Sequence, residues 1–464
     1  MKKRSPTQSI SRRSFVKMAG GSLAAAAGMG ILPTPFKKML GPVGTAHAAL
    51  GDPPNLYFAG TDGWMSLPAF PEIFSASLGG VKTHPDNLAP AGLSTYIFGF
   101  RNVTSLTDTQ RANQKNHAQH TAPLFWVDQF NGSNEFRMQL TNLGLAVRPD
   151  LFDAHTIHWH GFRNVIPFFD GEPTGSVAIT TGRVFTYVYR PRDPGTYMFH
   201  CHVEDVEHVH MGMNGPVFVR PLLGPKFAYN DASTAFDRQY VMQLSEVWGD
   251  SHWADAHIQL PEWSDYRADF SLLNGRVYPD TLAPNAPLEP TAIDTPAKIA
   301  ALNALPVQVD STGDLVAPDG NPHLKYQPLS ALVTCNAGER VLLRFANLGF
   351  REASLTLAGI RMRVIGKDAT PMKGRDGTDT SYMTNTVSFG AGESFDAIFT
   401  APTFSGGSGS SGSGYDTYLI YDRAYARSNN RAPGGFGGQR TEVRVYPTGT
   451  LQVQAIPHMQ SAPV

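Results

Sequence analysis

Two cysteines in 464 residues exclude a disulfide-built scaffold and the cysteine-only ligand sets of iron–sulfur clusters and structural zinc. A metal held by this chain must lean on histidine, of which there are 15. No apolar run reaches the roughly twenty residues of a membrane-spanning helix, so no stable membrane anchor is expected. Long apolar stripes of 3.6-residue period are missing as well, which excludes a coiled coil. Acidic residues are absent from positions 1–48, which carry eight Lys/Arg; the remainder sets the other 30 basic residues against all 39 acidic ones, a net −9. That balance argues against a nucleic-acid partner.

What is present begins with a leader. Lys2, Lys3 and Arg4 precede Ser11-Arg12-Arg13-Ser14-Phe15-Val16-Lys17 and an Ala/Gly-rich run from Met18 to Leu32. At about fifteen residues this run is too short and glycine-rich to span a bilayer. Ala46-His47-Ala48 offers a small-x-small cleavage pattern before Ala49. Residues 1–48 are therefore expected to be a twin-arginine export signal, with the remaining chain periplasmic or secreted.

From Ala49 onward, short β-rich runs alternate with Gly/Pro/Asn/Asp breaks, among them Phe136–Leu140, Val184–Tyr189, Gly215–Val219, Arg340–Phe345, Arg361–Ile365 and Tyr418–Tyr421. An all-β chain of two antiparallel sandwiches is expected. The blocks divide as 49–222 and 223–450, with a tail over 451–464. Pro279 to about Pro328 is expected to be a surface excursion and Ser405–Gly414 a flexible Gly/Ser loop.

Two windows of the first block carry the chemistry: His155-Thr156-Ile157-His158-Trp159-His160-Gly161, and Gly195-Thr196-Tyr197-Met198-Phe199-His200-Cys201-His202 with His208, His210, Met211 and Met213 following. Side chains alternate faces along a strand. His158 and His160 therefore share a face that His155 does not, and His200 and His202 share one that Cys201 does not. If the strands are neighbours, one face gathers four imidazoles and the other the thiolate and His155. The loop after Cys201 can return His208 and Met213 to the thiolate, completing two nitrogens, a sulfur and a weak thioether. That set describes a blue-copper, or type-1, electron-transfer centre. His210 competes with His208, but the five-residue step to Met213 favours His208. Trp159 is expected to pack between the domains, Glu204, Asp205 and Glu207 to form a solvated loop edge, and Cys335 to be a buried thiol. A Cys201–Cys335 disulfide is the bland alternative, disfavoured by the histidines flanking Cys201.

HTIHWHGF, DGEP at Asp170–Pro173 and GTYMFHCHVEDVEHVHMGMNG together resemble the multicopper oxidase family. The resemblance implies two cupredoxin-like Greek-key sandwiches, the second lacking evident copper ligands. It makes His155, Cys201, His208 and Met213 the type-1 ligands, His158 type-2-like, and His160, His200 and His202 type-3-like. Asp170 becomes the acidic residue that manages protons or water near an oxygen-reducing cluster. The family's complete cluster uses eight histidines in four HxH-like pairs, and this chain has two. A second set is left to another polypeptide, hence a homo-oligomer, to irregular histidines such as His117 and His120, or to nothing at all.

The expected function is a copper oxidoreductase taking single electrons from a small-molecule or metal-ion donor and delivering them to a second copper site, with dioxygen as acceptor. Two alternatives remain: an electron-transfer or copper-binding protein with a degenerate second site, and a copper nitrite reductase. The latter is disfavoured because His202 makes the motif HCH where that family resembles HCA.

Overall fold

Strands form here because buried residues recur at every second position, so one face of each strand packs inward. Along Phe136–Gly144, Phe136, Met138, Leu140, Asn142 and Gly144 are buried while Gln139, Thr141 and Leu143 are partly exposed. The computed structural model describes residues 53–75, 80–163, 165–407, 414–430 and 437–461. The leader over 1–48 lies outside these, as do residues 408–413 of the Gly/Ser segment. Among the described residues no helix is long and apolar enough to cross a membrane.

The first sandwich pairs a sheet ordered Thr95–Asn102, Leu56–Met65, Phe136–Gly144, Val184–Tyr189 with one ordered Phe125–Asp128, Asn214–Arg220, Gly195–His200, His158–His160. The second pairs a sheet running Phe270–Leu273, Arg238–Val247, Arg340–Asn347, Ser394–Thr400, Met362–Lys367 with one running Val333–Asn336, Arg440–Tyr446, Asp416–Asp422, Ala353–Leu357, Thr386–Phe389. The sheets are mixed, which corrects the expectation of purely antiparallel sandwiches. Leu56–Met65 runs parallel to Phe136–Gly144, and Phe125–Asp128 parallel to Asn214–Arg220. The second sandwich repeats both parallel pairs, Arg238–Val247 with Arg340–Asn347 and Val333–Asn336 with Arg440–Tyr446. Strand composition does not encode direction, so a single sequence hides this shared wiring.

The two cores differ in chemistry. The first is aromatic, with Phe125 ringed by Phe58, Phe136, Trp159 and Phe199 at centroid separations of 5.7, 5.8, 5.4 and 5.1 Å. The second is mainly aliphatic and encloses the free, buried Cys335. Trp159 belongs to the first core, stacked on Tyr189 at 4.4 Å, and not between the sandwiches. The alternation that sends His158 and His160 one way sends Trp159 the other.

The sandwiches meet along the opposite face of Gly195–His200. Thr196 Oγ1 donates to Asp396 at 2.5 Å, Ser394 Oγ donates to the Thr196 carbonyl at 2.7 Å, and Met198 packs on Ala346 and Leu348. The 279–328 segment is no mere surface excursion. The Leu302 carbonyl accepts from Trp126 Nε1 at 2.8 Å, and Leu305 packs with Trp126, Phe218 and Val241. Ile456 joins the same cluster, so the described part of the tail packs on the sandwiches. Helical order also appears where a loop was expected, at Asp205–Met211, a segment too short to display a period.

Truncating Phe125 to alanine removes the ring common to four aromatic contacts. Equilibrium denaturation should show a loss of about 3–5 kcal/mol; a loss below about 1 kcal/mol would mean the first core does not depend on this cluster.

Candidate metal centres

His158 lies directly opposite His200, and Trp159 opposite Phe199, in the antiparallel pair of the two histidine-bearing strands. This register places the rings of His158, His160, His200 and His202 on one face, with centroids 5.0–6.1 Å apart in the neighbouring pairs. One ring nitrogen from each of His158, His160 and His200 falls within 4.8 Å of the others. His202 joins through its ring, 5.0 Å from His158.

The odd-numbered face is different. His155, Cys201 and His208 bring their donor atoms within 4.8 Å of one another, all fully buried. Cys201 Sγ is 3.3 Å from His208 Nδ1 and accepts from the Thr156 amide at 3.4 Å. Met213 is buried alongside, and its backbone ties the loop shut: its carbonyl accepts from the Cys201 amide at 3.0 Å and its amide donates to the His208 carbonyl at 2.9 Å. His210, two positions along the same helix, turns away, its Nε2 accepting from the Trp248 amide at 3.0 Å. Cys201 and Cys335 are both free.

The surroundings set the protonation. Burial pushes the Cys201 thiol up, but the His208 charge and the close His155 and His208 rings outweigh it and hold the thiol well below its ordinary value. Burial likewise depresses His208, and the Cys201 thiolate with the Asp153 carboxylate, 3.5 Å from Nε2, overcomes this and lifts the ring to about 10. Without metal the pair is thus thiolate and imidazolium, and metal binding displaces the imidazolium proton. Across the strand, burial holds His200 down to about 3 and keeps His158 and His160 below the usual imidazole range. These rings stay neutral, as ligands must.

Residues outside the two windows complete both sites. Gly60 faces the sulfur-bearing side; a Cβ there would lie 2.9 Å from His155 Cδ2 and 3.3 Å from the Met213 methyl, so only glycine leaves room for both donors. Thr156 links the windows, its hydroxyl accepting from the His202 amide at 2.9 Å. Asp170 acts through its backbone: its carbonyl accepts from His158 Nδ1 at 2.7 Å, which leaves Nε2 as the lone-pair donor, while its carboxylate stands 3.5 Å from Nδ1. Gly171 must be glycine, since at φ +77° a Cβ would sit 2.2 Å from the Ile157 carbonyl oxygen. Nothing in the two windows announces Gly60, which arrives through tertiary folding, or the pairing of Asp153, two residues before His155, with His208. The DG pair beside the first window does carry a signal for the carbonyl that orients His158.

The donor sets fit copper. Both His155 ring nitrogens are buried without a hydrogen-bond partner, a costly arrangement that a ligand on one of them relieves. Two imidazoles and a thiolate with a thioether beside them match a type-1 centre. The opposite face supplies four imidazoles and no more. Among the described residues His117, His257 and His323 stand against Asp314, Asp86 and Asp280, and His84, His120, His210, His252 and His458 are buried elsewhere.

Residues 136–223 match the multicopper oxidase family model. Over that stretch the chain is similar to multicopper oxidases. Over 123 residues, 26% of this chain, it is 33% identical to Copper resistance protein A of Pseudomonas syringae pv. tomato, and over 124 residues 30% identical to a Copper resistance protein A homolog from a strain of the same pathovar. The matches span 18% and 19% of those proteins' lengths. The fold is similar to that of Blue Copper Oxidase from Nitrosomonas europaea, with a TM-score of 0.51 and 19% identity over 84% of this chain and 85% of that one. It is also similar to the multicopper oxidase mgLAC, with a TM-score of 0.50 and 18% identity over 86% and 87%. These likenesses establish a cupredoxin-like, all-β fold.

In metal-free protein the ultraviolet absorbance of one thiolate should persist at neutral pH and disappear only on acidification well below the ordinary thiol range. Cys201→Ser should abolish it; Cys335→Ser should not, because burial pushes that thiol up to about 12. His208→Gln should move the transition to higher pH. A full thiol at neutral pH in the wild-type chain contradicts the thiolate–imidazolium pair.

Proposed function

We propose that this chain is an exported copper oxidoreductase that withdraws single electrons from a small-molecule or metal-ion donor at the His155, Cys201, His208 and Met213 centre and delivers them to the four-imidazole face, where dioxygen is the acceptor. One observation carries the reading: the two donor sets sit back to back on one strand, joined by the peptide bonds of His200-Cys201-His202. Bound in such a set, copper cycles between its cuprous and cupric states with little rearrangement.

The chain's own residues divide the work. Thr156 and the aromatic core hold the Cys201 sulfur dry and fixed, so oxidation and reduction reorganise little around it. The His200 and His202 side chains leave the same backbone toward the opposite face and give a short covalent route between the sites. Asp170 orients His158 through its carbonyl, and its carboxylate, 3.5 Å from the same ring, is placed to exchange a proton there. The similarity to Copper resistance protein A supports copper as the metal. The twin-arginine leader supports export, with the oxidoreductase working in the periplasm or beyond.

The imidazole face is proposed to work with the four rings this chain provides. Every other described histidine is buried or stands against a carboxylate, so no further imidazole of this chain is placed to join the set.

Copper-loaded protein should be blue, show both blue and non-blue cupric signals by spin resonance, and consume oxygen with a phenolic or metal-ion donor. Cys201→Ser should remove the colour and the uptake. The pair His160→Ala/His200→Ala should keep the colour and lower oxygen uptake by more than the roughly 10–100-fold typical of losing an outer ligand partner. One copper per chain with no oxygen uptake would overturn the reading in favour of an electron carrier, and turnover of nitrite in place of oxygen would overturn the acceptor.

A further inference from the structure

The sheet of the second sandwich that contains Arg340–Asn347 and Met362–Lys367 carries arginines on the face turned away from its core. In the register, Arg340 lies opposite Thr400, and Ile398 lies between Leu342 on one side and Arg363 on the other. Arg340 and Leu342 share a face by alternation, as do Arg361 and Arg363, so all three guanidinium groups emerge on one side. They line a cavity of about 670 Å³ together with Ser233 and apolar Met383, Ile398 and Pro402.

No carboxylate lines this cavity. Acidic groups enter only in the adjoining cleft, where Asp231 is held by Lys373 at 2.8 Å and Asp379 feels the charge of Arg363. Each guanidinium is steadied by one outer nitrogen bonded to protein oxygen: Arg340 Nη2 to the Ser233 carbonyl at 2.7 Å, Arg363 Nη2 to Ser233 Oγ at 3.1 Å, and Arg361 Nη2 to the Met383 carbonyl at 3.0 Å. A guanidinium has five N–H donors, so most remain unspoken for. Arg363 Nε is buried with no acceptor at all. Inside the cavity the three like charges repel one another, with Asp379 easing only Arg363 from the adjoining cleft, and a buried charged donor without a partner carries a desolvation cost. Both costs fall when an oxyanion enters.

The geometry points to a binding site for a phosphate-type oxyanion, formed by Arg340, Arg361 and Arg363, on the second sandwich. Planar, pre-anchored guanidinium forks match the tetrahedral oxygens of phosphate in pairs. The apolar wall accommodates an organic substituent, so the phosphate is either free or the headgroup of an anionic lipid.

The purified full chain would be titrated calorimetrically with inorganic phosphate at low ionic strength, and sedimented with vesicles of phosphatidylglycerol or of phosphatidylcholine alone. Saturable binding to phosphate, or to phosphatidylglycerol but not phosphatidylcholine vesicles, weakened at least tenfold in Arg361→Gln and in Arg363→Gln, supports the site; which probe binds names the source. Arg361 is exposed and makes a single bond, so Arg361→Gln should keep the wild-type melting temperature without phosphate and lose the stabilisation that added phosphate brings. Silence with phosphate and both vesicles, or binding equal in the wild type and both variants, overturns the proposal.

Discussion

The alternation of side chains along the paired strands His158–His160 and Gly195–His200 is the constraint on which both centres depend. It turns Cys201 toward the aromatic core with Phe199 and Tyr197, and turns His200 toward the second sandwich with Thr196 and Met198. A slip of one residue would exchange the faces, exposing the sulfur at the seam and burying imidazoles in the core. The register is therefore pinned from several sides. Tyr187 accepts from the Ile157 amide, Thr156 spans the two windows, and the Thr196 hydroxyl is locked between Asp396 and Arg344. Arg344 and Asp396 are themselves buried and 3.3 Å apart, so removing either leaves an uncompensated charge, at a cost of about 3–5 kcal/mol.

Burial acts in opposite directions on the two sides of that strand. An imidazole becomes easier to keep neutral when desolvated, so burial prepares His158, His160 and His200 as lone-pair donors without further help. A thiolate becomes harder to keep charged, and only the close imidazolium of His208 reverses the trend. For Cys335, equally buried in the second core, burial and the Glu339 charge outweigh Arg238 and keep the thiol protonated. The contrast between the two cysteines shows that reactivity follows the adjacent cation and not the residue type.

How much of this the chain reveals in advance depends on distance along it. Period two within eight-residue windows was enough to sort His155 from His158 and Cys201 from His200, because strand geometry is local. The same rule, applied to Trp159, puts the indole in the first core; domain packing was an unnecessary assumption. Residues that reach the sites from afar leave no local mark. Gly60 lies about a hundred positions before His155, and its part is only to lack a side chain. Strand direction, the helix at Asp205–Met211 and the packed 279–328 segment were hidden for a related reason: each is decided by tertiary partners such as Trp126 and not by its own composition.

The second sandwich repeats the strand pairing of the first, yet its equivalents of the two histidine-bearing strands, Ala353–Leu357 and Asp416–Asp422, contain neither histidine nor cysteine. Its contribution to the metal face is spatial. Gly392, in the turn before Ser394–Thr400, stands so near His160 that a Cβ would lie 3.0 Å from its Nε2, and Asp368 lines the same cavity of about 260 Å³ with Thr196 and Ser394. Ser394 and Asp368 are joined backbone to side chain at 2.9 Å, so this cover is rigid at the point where it meets the imidazoles. One sandwich holds the donors while its structural twin closes over them, and the cavity between Gly392 and Met198 is the one described opening beside His160. The cavity beside His160 is thus lined in part by residues of the second sandwich.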